Sequence, residues 1–309
     1  MNKQRKYFYI AGVLLFTAAA GVFVSCKDKD GAPEETMTAG TISIQVDYSV
    51  QPIVEDALAV FQSIYPKAHI TQVNRNEADI VQALLNDSAR VAVITRELTA
   101  AEESHFKKSG IKARTVPFAK DGLALIASPA VTDTLINLED VYKVMRGEES
   151  AAIKQLVFDS NRAGIAQYLI AKAGNANKTL KNVYSLKNTA EVFTFVKNNP
   201  GAIGIVGVNW LLQPPVELEK AVSEVKVLAV SKQAKGATAK DYFKPSQTSI
   251  VDGNYPLTRT LYILNYQGKK GLGTGFATYL SAPEGQRLIL KSGLLPVTLP
   301  FREIEIVNK

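Results

Sequence analysis

The stretch LVFDSNRAGIAQYL, Leu156–Leu169, decides the fold of this chain. Its first half is apolar and ends at Asp159, as a buried strand does, and from about Gly164 it has the apolar spacing of a helix. A polar turn lies between the two halves. A turn that leads from a strand into a helix leaves the first backbone N–H groups of the helix free, and such groups bind anions. The stretch therefore predicts an α/β protein with a candidate anion site at this turn.

Two further turns share this strand-to-helix arrangement. They are VDYSVQP at 46–52 and ITREL at 94–98, and each places small, hydroxyl or charged side chains where a helix begins. Ordinary capping accounts for part of the pattern, since Ser49 suits an N-cap position and Thr99 forms a capping box with Glu102. Three such turns in one chain still favour a shared cleft, because the carboxyl ends of parallel strands meet at one edge of a sheet.

Strands and helices alternate along the chain from Thr41 onward. Predicted helices have apolar residues near period 3.6, and predicted strands are short runs rich in Val, Ile and Leu. The alternation predicts mainly parallel sheets covered by helices on both faces. We expect helices at 53–64, 77–86, 100–109, 138–147, 189–199, near 275–280 and from Ser281, and strands at 41–46, 91–94, 121–129, 202–206, 224–230 and 255–266.

The remaining motifs have structural interpretations. Asn137 and Ser281 suit N-cap positions, the second as part of a capping box. The glycine-rich run at 201–207 lies within a predicted strand, and the run at 271–275 lacks the preceding strand and the acidic partner of a dinucleotide site, so we interpret both as packing and turns. Trp210 is interpreted as a core residue rather than a stacking platform.

Composition excludes several classes of protein. The 309 residues are 46% hydrophobic and 21% charged, which allows one large or two medium domains and argues against disorder. The formal charge of +7 forms no dense basic stripe, so we expect no nucleic-acid partner. His69 and His105 stand alone, without the spacing of a metal site or of a nucleophile and its base. We expect no metal, no cofactor and no enzymatic activity.

The N-terminus predicts export. The basic segment MNKQRK precedes the uncharged, mostly apolar stretch Tyr7–Ser25, which is the layout of a secretory signal. Cys26, the single cysteine, follows directly and resembles the lipobox cysteine of bacterial lipoproteins, which is acylated. Residues 1–25 are then a lipoprotein signal peptide and residues 26–40 a lipidated cysteine with a flexible polar tether. The alternative is a retained membrane helix, since the apolar stretch is close to spanning length. Both interpretations place the folded part outside the cytoplasm, attached to the cell envelope.

The ordered set of motifs resembles the phosphate-binding proteins of ABC transporters, the PstS-like family. TRELTAAE at 95–102 is similar to the SREL turn of that family, and DGLALIASP at 121–129 is similar to its DGIAVIVNP segment. The segments LEDVYKVMRGE, GAIGIVG, YPLTR and YLSAPEGQRLILKSGLLPV are similar to those that follow in the family. The resemblance runs from about Gly40 to the C-terminus, so it covers nearly all of the chain after the signal.

The resemblance implies an α/β fold, the two-lobed type II periplasmic-binding-protein fold, in which each lobe is a mainly parallel sheet flanked by helices. It implies lobe 1 at 41–120 plus 255–309 and lobe 2 at 121–254, which close on a ligand by hinge motion. The implied partners are phosphate or a related oxyanion and an ABC permease, with the chain acting as a monomer. Carried over to this sequence, the ligand-binding residues are Ser49, Thr95, Arg96, Asp121, Asn161, Arg162 and Gly164.

Two of these implied roles have a chemical basis. Hydroxyl groups and helix N–H groups donate to oxyanion oxygens, and an arginine can bind two such oxygens at once. Asp121 could accept the proton that phosphate carries and sulfate lacks, or it could instead be a hinge residue.

The turn at 156–169 departs from the family. Where the family has Ser, Gly and Thr and then Arg two residues later, this chain has Ala163, Gly164, Ile165 and Gln167. We expect the missing hydroxyls and charge to weaken phosphate binding, and Ala163 and Ile165 to leave the cleft apolar. Two functions stay open: a lipid-anchored solute-binding protein that captures an oxyanion for an ABC importer, or a binding-protein fold reused as an envelope sensory or protein-interaction module with a degenerate anion site.

Overall fold

The computed structural model describes residues 35–111, 114–160, 162–174, 180–233 and 236–299. The expectations for Cys26, for residues 1–25 and for Asn161 lie outside the described residues. Within them, no helix is both long and apolar enough to cross a bilayer.

The strands of the described residues confirm most of the predicted set and add four that the sequence pattern did not predict: the edge strand β2 (Ala68–Arg75) and the short strands β5 (Leu135–Asn137), β7 (Val183–Ser185) and β12 (Leu295–Pro296). Strand β2 has no sustained alternation of apolar and polar residues, and only Ala68 and Ile70 in it are fully buried. Its sequence therefore lacks the pattern that predicts a strand. The predicted strand at 224–230 is two short strands with different partners. The bounds are β1 Gly40–Asp47, β2 Ala68–Arg75, β3 Val91–Ile94, β4 Arg114–Ala127, β5 Leu135–Asn137, β6 Gln155–Phe158, β7 Val183–Ser185, β8 Ala202–Gly207, β9 Lys226–Val227, β10 Ala229–Ser231, β11 Thr258–Asn265 and β12 Leu295–Pro296.

The helices lie close to the predicted positions. Their bounds are α1 Gln51–Ile64, α2 Glu77–Leu85, α3 Ala100–Lys108, α4 Leu138–Met145, α5 Gly164–Ala173, α6 Thr189–Asn198, α7 Asn209–Leu212, α8 Glu219–Ser223, α9 Gln247–Val251, α10 Leu272–Ser281 and α11 Pro283–Lys291. Short 3₁₀ turns precede α1, α8 and α9 at Tyr48–Val50, Val216–Leu218 and Ala239–Asp241.

The main sheet has ten strands in the described residues and is built around β4. Its order is β2–β1–β3–β11–β4–β8–β6–β7, with β9 and β12 also paired to β4. The β1–β2, β1–β3, β6–β7 and β6–β8 pairs are parallel, as predicted, whereas β11 runs antiparallel to β3 and β4, and β4 runs antiparallel to β8. The first part of β4 pairs with β11 and the last part with β8, so this one long strand joins two groups of parallel strands.

Helices cover both faces of each parallel group, as predicted. Alternate residues of β3 belong to different cores: Val91 and Val93 pack toward α1 and α10, while Ala92 and Ile94 pack toward α2 and α3. The last part of β4 alternates in the same way between the clusters that contain α5 and α6. Each fully buried Val, Leu, Ile or Phe contributes roughly 1.5–3 kcal/mol, so these cores hold the strand ends in fixed positions.

Capping was predicted correctly for one of four helices. The capping box of Thr99 and Glu102 on α3 is confirmed. Ser49 is not an N-cap: it lies inside a 3₁₀ turn that Asp47 caps, and α1 begins only at Gln51. Asn137 precedes α4 as expected, but its side chain makes no capping bond and instead accepts a hydrogen bond from the hydroxyl of a tyrosine distant in sequence, Tyr242.

The predicted capping box at Ser281 is wrong. The N-cap of α11 is Ala282, and the Ser281 hydroxyl donates to the carbonyl of Ala277 in the preceding helix at 3.0 Å. Only one residue separates the two helices, so Ser281 is still the last residue of α10 and its hydroxyl bonds within that helix. Pro283 does lie in the first turn of α11, as predicted.

The folded part begins before Thr41. The Glu35 carboxylate accepts a hydrogen bond from the backbone N–H of Leu272 at 2.8 Å, at the start of α10, and forms an ion pair with Lys269 at 2.9 Å. A Cβ on Gly275 would lie only 1.8 Å from the carbonyl oxygen of Met37, so the chain at 35–40 packs tightly on α10. These residues, which we expected to belong to the flexible tether, are part of the fold.

Candidate functional site

The three predicted turns meet at Gly164, the first residue of α5. Its backbone N–H donates to Oδ2 of Asp47, at the end of β1, over 3.2 Å. A Cβ at this position would lie 2.3 Å from Oγ1 of Thr95 and 2.8 Å from Oε2 of Glu77. Since real Cβ atoms do not approach other atoms so closely, only glycine fits here. The carboxyl ends of β1, β3 and β6 thus converge on one point, as the strand-to-helix pattern predicted.

The hydroxyl of Ser49 donates to a carboxylate of the same turn. Both the backbone N–H of Ser49, at 3.0 Å, and its Oγ donate to Oδ1 of Asp47. Asp47 is fully buried, and its other oxygen accepts from Gly164. The carboxylate of Asp47 therefore lies where the helix N-terminus and the Ser49 hydroxyl direct their hydrogens.

Thr95 and Arg96 bind a second buried carboxylate, that of Glu77. Oε2 of Glu77 accepts from the backbone N–H of Thr95 at 3.0 Å and from its hydroxyl at 2.7 Å. Oε1 accepts from Nε of Arg96 at 3.0 Å, and the other guanidinium nitrogens of Arg96 bind Glu102. Glu102, the capping-box partner of Thr99, thus also helps to fix the guanidinium group of a predicted site residue.

Asp121 forms a buried ion pair with Arg259 inside the sheet. It lies in the middle of β4, and its Oδ2 accepts from Nε of Arg259 at 3.1 Å and from Nη2 at 2.8 Å. Its Oδ1 accepts from the backbone N–H of Val208 at 3.1 Å. Both residues of the ion pair are buried, so the pair ties β4 to β11 next to the three turns.

Arg162 lies at the outer edge of the site. Its side chain is 58% exposed and forms an ion pair with Asp79 in the first turn of α2. Its backbone carbonyl accepts from the N–H of Ala78 at 3.3 Å. Arg162 therefore links the turn before α5 to α2 and does not enter the buried part of the site.

The expectation of an apolar cleft is wrong. Ile165 points away from the turns into the apolar core that also contains Phe158 and Leu169, and Ala163 is fully buried. The groups around Gly164 are instead the carboxylates of Asp47 and Glu77. The site is therefore acidic, and the side chain of Ile165 contributes to the apolar core instead.

A third buried carboxylate, Asp159, belongs to the same cluster. Its oxygens accept from the N–H of Ser160 at 2.9 Å and from the hydroxyl of Thr189 at 3.2 Å. Burial, together with the negative charge of Asp47, raises the pKa of Asp159 to about 7. The same two causes raise the pKa of Glu77 above its ordinary value.

Residues of β11 and of the segment after β8 complete the site. The indole N–H of Trp210, a buried residue as predicted, donates to the carbonyl of Ser49 at 3.1 Å. The amide of Asn209 is buried beside Ser49 and Asp121, because a Cβ on Gly207 would lie 2.5–3.0 Å from all three. Among the described residues, neither atom of the Asn209 amide has a hydrogen-bond partner, and neither does Nη1 of Arg259.

Sequence reasoning missed the acidic character of this site. Asp47 and Asp159 each directly follow an apolar strand, which is a signal that the sequence does contain. Glu77 gave no such signal, because the strand before it, β2, was not predicted. In the described residues, no group of His, Cys, Asp and Glu side chains has the arrangement of a metal site.

Comparison with known proteins identifies the family. The sequence profile of the PBP superfamily domain matches residues 31–284. This chain belongs to the PBP superfamily. It is 22% identical to the phosphate-binding protein PstS of Borreliella burgdorferi, over 92% of this chain and 98% of that protein. It is also 22% identical to the phosphate-binding protein PstS of Bacillus subtilis, over 96% of this chain and 95% of that protein.

Solved structures share the fold of this superfamily member. A crystal structure from Clostridium perfringens, described as that of a phosphate ABC transporter substrate-binding protein with bound phosphate, superposes with a TM-score of 0.66. It covers 84% of this chain and 100% of its own, at 16% identity. The predicted fold class, a type II periplasmic-binding-protein fold, is therefore confirmed, and so is the resemblance to PstS-like proteins. The lobe boundaries at 120/121 and 254/255 stay predictions.

Proposed function

We propose that this chain is an exported solute-binding protein that captures phosphate or a related oxyanion and delivers it to an ABC permease. Its relatives that carry the name PstS are similar to it over nearly their whole length, which supports a shared role. In this proposal, Ser49, Thr95, Arg96 and Gly164 are the main binding residues and Asn161 is a further one. Arg162 lies at the outer edge of the site, and Asp121 holds β4 to β11 beside it.

One observation carries the proposal. The N-terminus of α5 and the donors of Ser49 and Thr95 converge within one buried volume, and they already hold anionic oxygen atoms there, those of Asp47 and Glu77. A helix N-terminus with converging hydroxyl and guanidinium donors is suited to bind an oxyanion. The relatives are binding proteins, and the proposed activity is binding without catalysis.

Calorimetric titration of the folded domain tests this function. Phosphate, sulfate, molybdate and a phosphate monoester are titrated separately, and we expect saturable binding of at least one of them. A domain that binds none of the four at any pH between about 5 and about 8 is not an oxyanion-binding protein.

We also propose that Cys26 is acylated and anchors the protein to the cell envelope, since it directly follows a basic and then apolar segment. The wild-type protein should then partition into detergent, whereas a Cys26→Ser variant should not. Retention of the Cys26→Ser variant in the membrane, with the N-terminal segment uncleaved, would favour the retained helix instead.

A second function has one specific observation in its favour. The donors that would bind an anion are already hydrogen-bonded to Asp47 and Glu77, as in a fold that has been reused for sensing or for protein interaction. In that case none of the four oxyanions binds, and affinity purification from the native envelope recovers a protein partner other than a permease.

A further inference from the structure

The carboxylates of Asp47 and Glu77 occupy the donors that an oxyanion would need. The N–H of Gly164 and the N–H and hydroxyl of Ser49 donate to Asp47. The N–H and hydroxyl of Thr95 and Nε of Arg96 donate to Glu77. A buried anion that lacks such donors is costly, so an oxyanion cannot enter while both carboxylates keep them.

The charges around the site also oppose the entry of an oxyanion. Around Gly164 the carboxylates outnumber the guanidinium groups, and the dielectric response is weak because most of these groups are buried. An added anion would therefore be repelled unless protons enter with it. The charged and titratable groups in and around the site are the carboxylates of Asp47, Glu77, Asp159, Asp121 and Glu102, the guanidinium groups of Arg96 and Arg259, the outer pair Arg162–Asp79, and the phenols of Tyr168 and Tyr255.

Two buried donors point to a ligand that is not part of the chain. In the described part of the molecule, Nδ2 of Asn209 and Nη1 of Arg259 have no partner, although Asn209 is 1% exposed and Arg259 is 4% exposed. The Asn209 amide, the carbonyl of Ser49 and Oδ2 of Asp121 all lie near Gly207, within 2.5–3.0 Å of the position of a Cβ on that residue. Unpaired buried donors cost free energy, and a bound acceptor such as an oxyanion would satisfy them.

We propose that the carboxylates of Asp47 and Glu77 are an internal counter-ligand, and that an oxyanion binds only as Glu77 takes up a proton from solvent. This inference rests on the proposed function. A protonated carboxyl group releases the donors that it held and becomes a donor itself, so it can bind the incoming anion. Burial and the negative charge of Asp47 raise the pKa of Glu77, which favours proton uptake by this carboxylate.

Proton uptake is measured directly by calorimetry. The domain is titrated with sulfate and with phosphate at about pH 5 and about pH 8, each in two buffers of different ionisation enthalpy. Sulfate keeps its charge over this range, so protons taken up with sulfate bind to the protein. We expect at least one proton per sulfate and a Kd that weakens about tenfold per pH unit for each proton.

Two variants test the counter-ligand. Glu77→Gln imitates the protonated side chain, so it should reduce the proton uptake and tighten binding at about pH 8 by about tenfold or more. Asp47→Asn removes the other negative charge of the counter-ligand and should tighten binding at about pH 8 to a similar degree. Glu103→Gln, at an exposed glutamate on α3, is the matched control and should behave as the wild-type domain does. Should Asp47→Asn fail to fold, the wild-type proton count and the Glu77→Gln variant still decide the question.

The outcomes separate the two proposals. Oxyanion binding without proton uptake, or with the same uptake in Glu77→Gln and in the wild type, overturns the counter-ligand and leaves the proposed function standing. Absence of oxyanion binding in the wild type and in both variants, at both pH values, overturns the counter-ligand and the proposed function together.

Discussion

At the scale of single residues, Asp159 shows how burial changes the chemistry of a side chain. Its carboxyl group is 3% exposed and lies near the carboxylate of Asp47, so its ionised form is disfavoured and its pKa is raised to about 7. The folded protein therefore holds a proton on Asp159 at a pH where the unfolded chain has released it. By linkage, this stabilises the fold below the ordinary aspartate pKa, and the contribution is lost as the pH rises through about 7.

An Asp159→Asn variant should remove this pH dependence. The amide can still accept from the N–H of Ser160 and can donate to Thr189, while it carries no charge. We expect its free energy of unfolding to change less between about pH 4 and about pH 8, and to exceed that of the wild type at the upper end. Urea unfolding at several pH values measures this.

The control for this prediction is Asp87→Asn, at an exposed aspartate that is distant in sequence from Asp159. Its free energy of unfolding should depend on pH as that of the wild type does. The residual slope of Asp159→Asn should come from the other carboxyl groups whose pKa is raised, which include Glu77, Asp121 and Asp56. A variant with the full wild-type slope would mean that Asp159 is ionised in the folded protein.

At the scale of secondary structure, the N-terminus of α5 decides where the site lies. The N-cap Ala163 has no side chain that could cap the helix, so the first N–H, that of Gly164, bonds to Asp47 on a different strand. This contact requires that the start of α5 approach β1 and β3 closely, and the missing Cβ of Gly164 permits the approach.

In a Gly164→Ala variant, the start of α5 should no longer lie close to β1 and β3, and oxyanion binding should be lost. Its Cβ would overlap Oγ1 of Thr95, and relieving such overpacking costs about 1–3 kcal/mol. We expect a lower urea midpoint and no measurable heat of binding. Gly201→Ala is the matched control, since a Cβ there would lie 3.6 Å from the flexible side chain of Lys154 and should change neither property. Equal stability of the two variants would contradict the close packing at Gly164.

At the scale of the whole molecule, four contacts at the site turns join segments that we predict to belong to different lobes, in addition to the sheet pairing of β4 with β11. They are the bond from Gly164 to Asp47, the bond from Ala78 to the carbonyl of Arg162, the ion pair of Arg162 with Asp79, and the bond from Trp210 to the carbonyl of Ser49. A hinge motion that opens the site would break all four. Trp210 is the only tryptophan of the chain, so its fluorescence should report the motion.

An Arg162→Ala variant should open more readily. Exposed ion pairs are worth at most about 1 kcal/mol, so the open fraction should rise by no more than about fivefold. We expect a red shift of tryptophan emission, because the indole of Trp210 becomes solvated, and we expect high salt to bring the wild type closer to the variant.

Arg90→Ala serves as the control for this experiment, because Arg90 forms an equally exposed pair with Asp87 away from the site. Its emission should match that of the wild type at every salt concentration. Identical emission of Arg162→Ala and the wild type would mean that this ion pair does not hold the site closed.

The sequence by itself determined the fold class and the convergence of three strand-to-helix turns. Apolar periodicity gave the alternating strands and helices, and the strand-to-helix turns at Ser49, Thr95 and Gly164 pointed to a single edge of the sheet. These signals are local, because a strand end, a helix start and a glycine are each visible within a few residues.

Only the tertiary structure decided what fills the site. Asp47, Glu77 and Asp159 are separated in sequence, and nothing local indicates that their carboxylates converge on the donors of Gly164, Ser49 and Thr95. Likewise, the sequence placed Ile165 in the cleft, whereas the rotation of α5 against its core directs this side chain inward. The direction of a side chain at a helix start depends on packing against distant elements, and that packing also sets the burial that shifts the carboxyl pKa values.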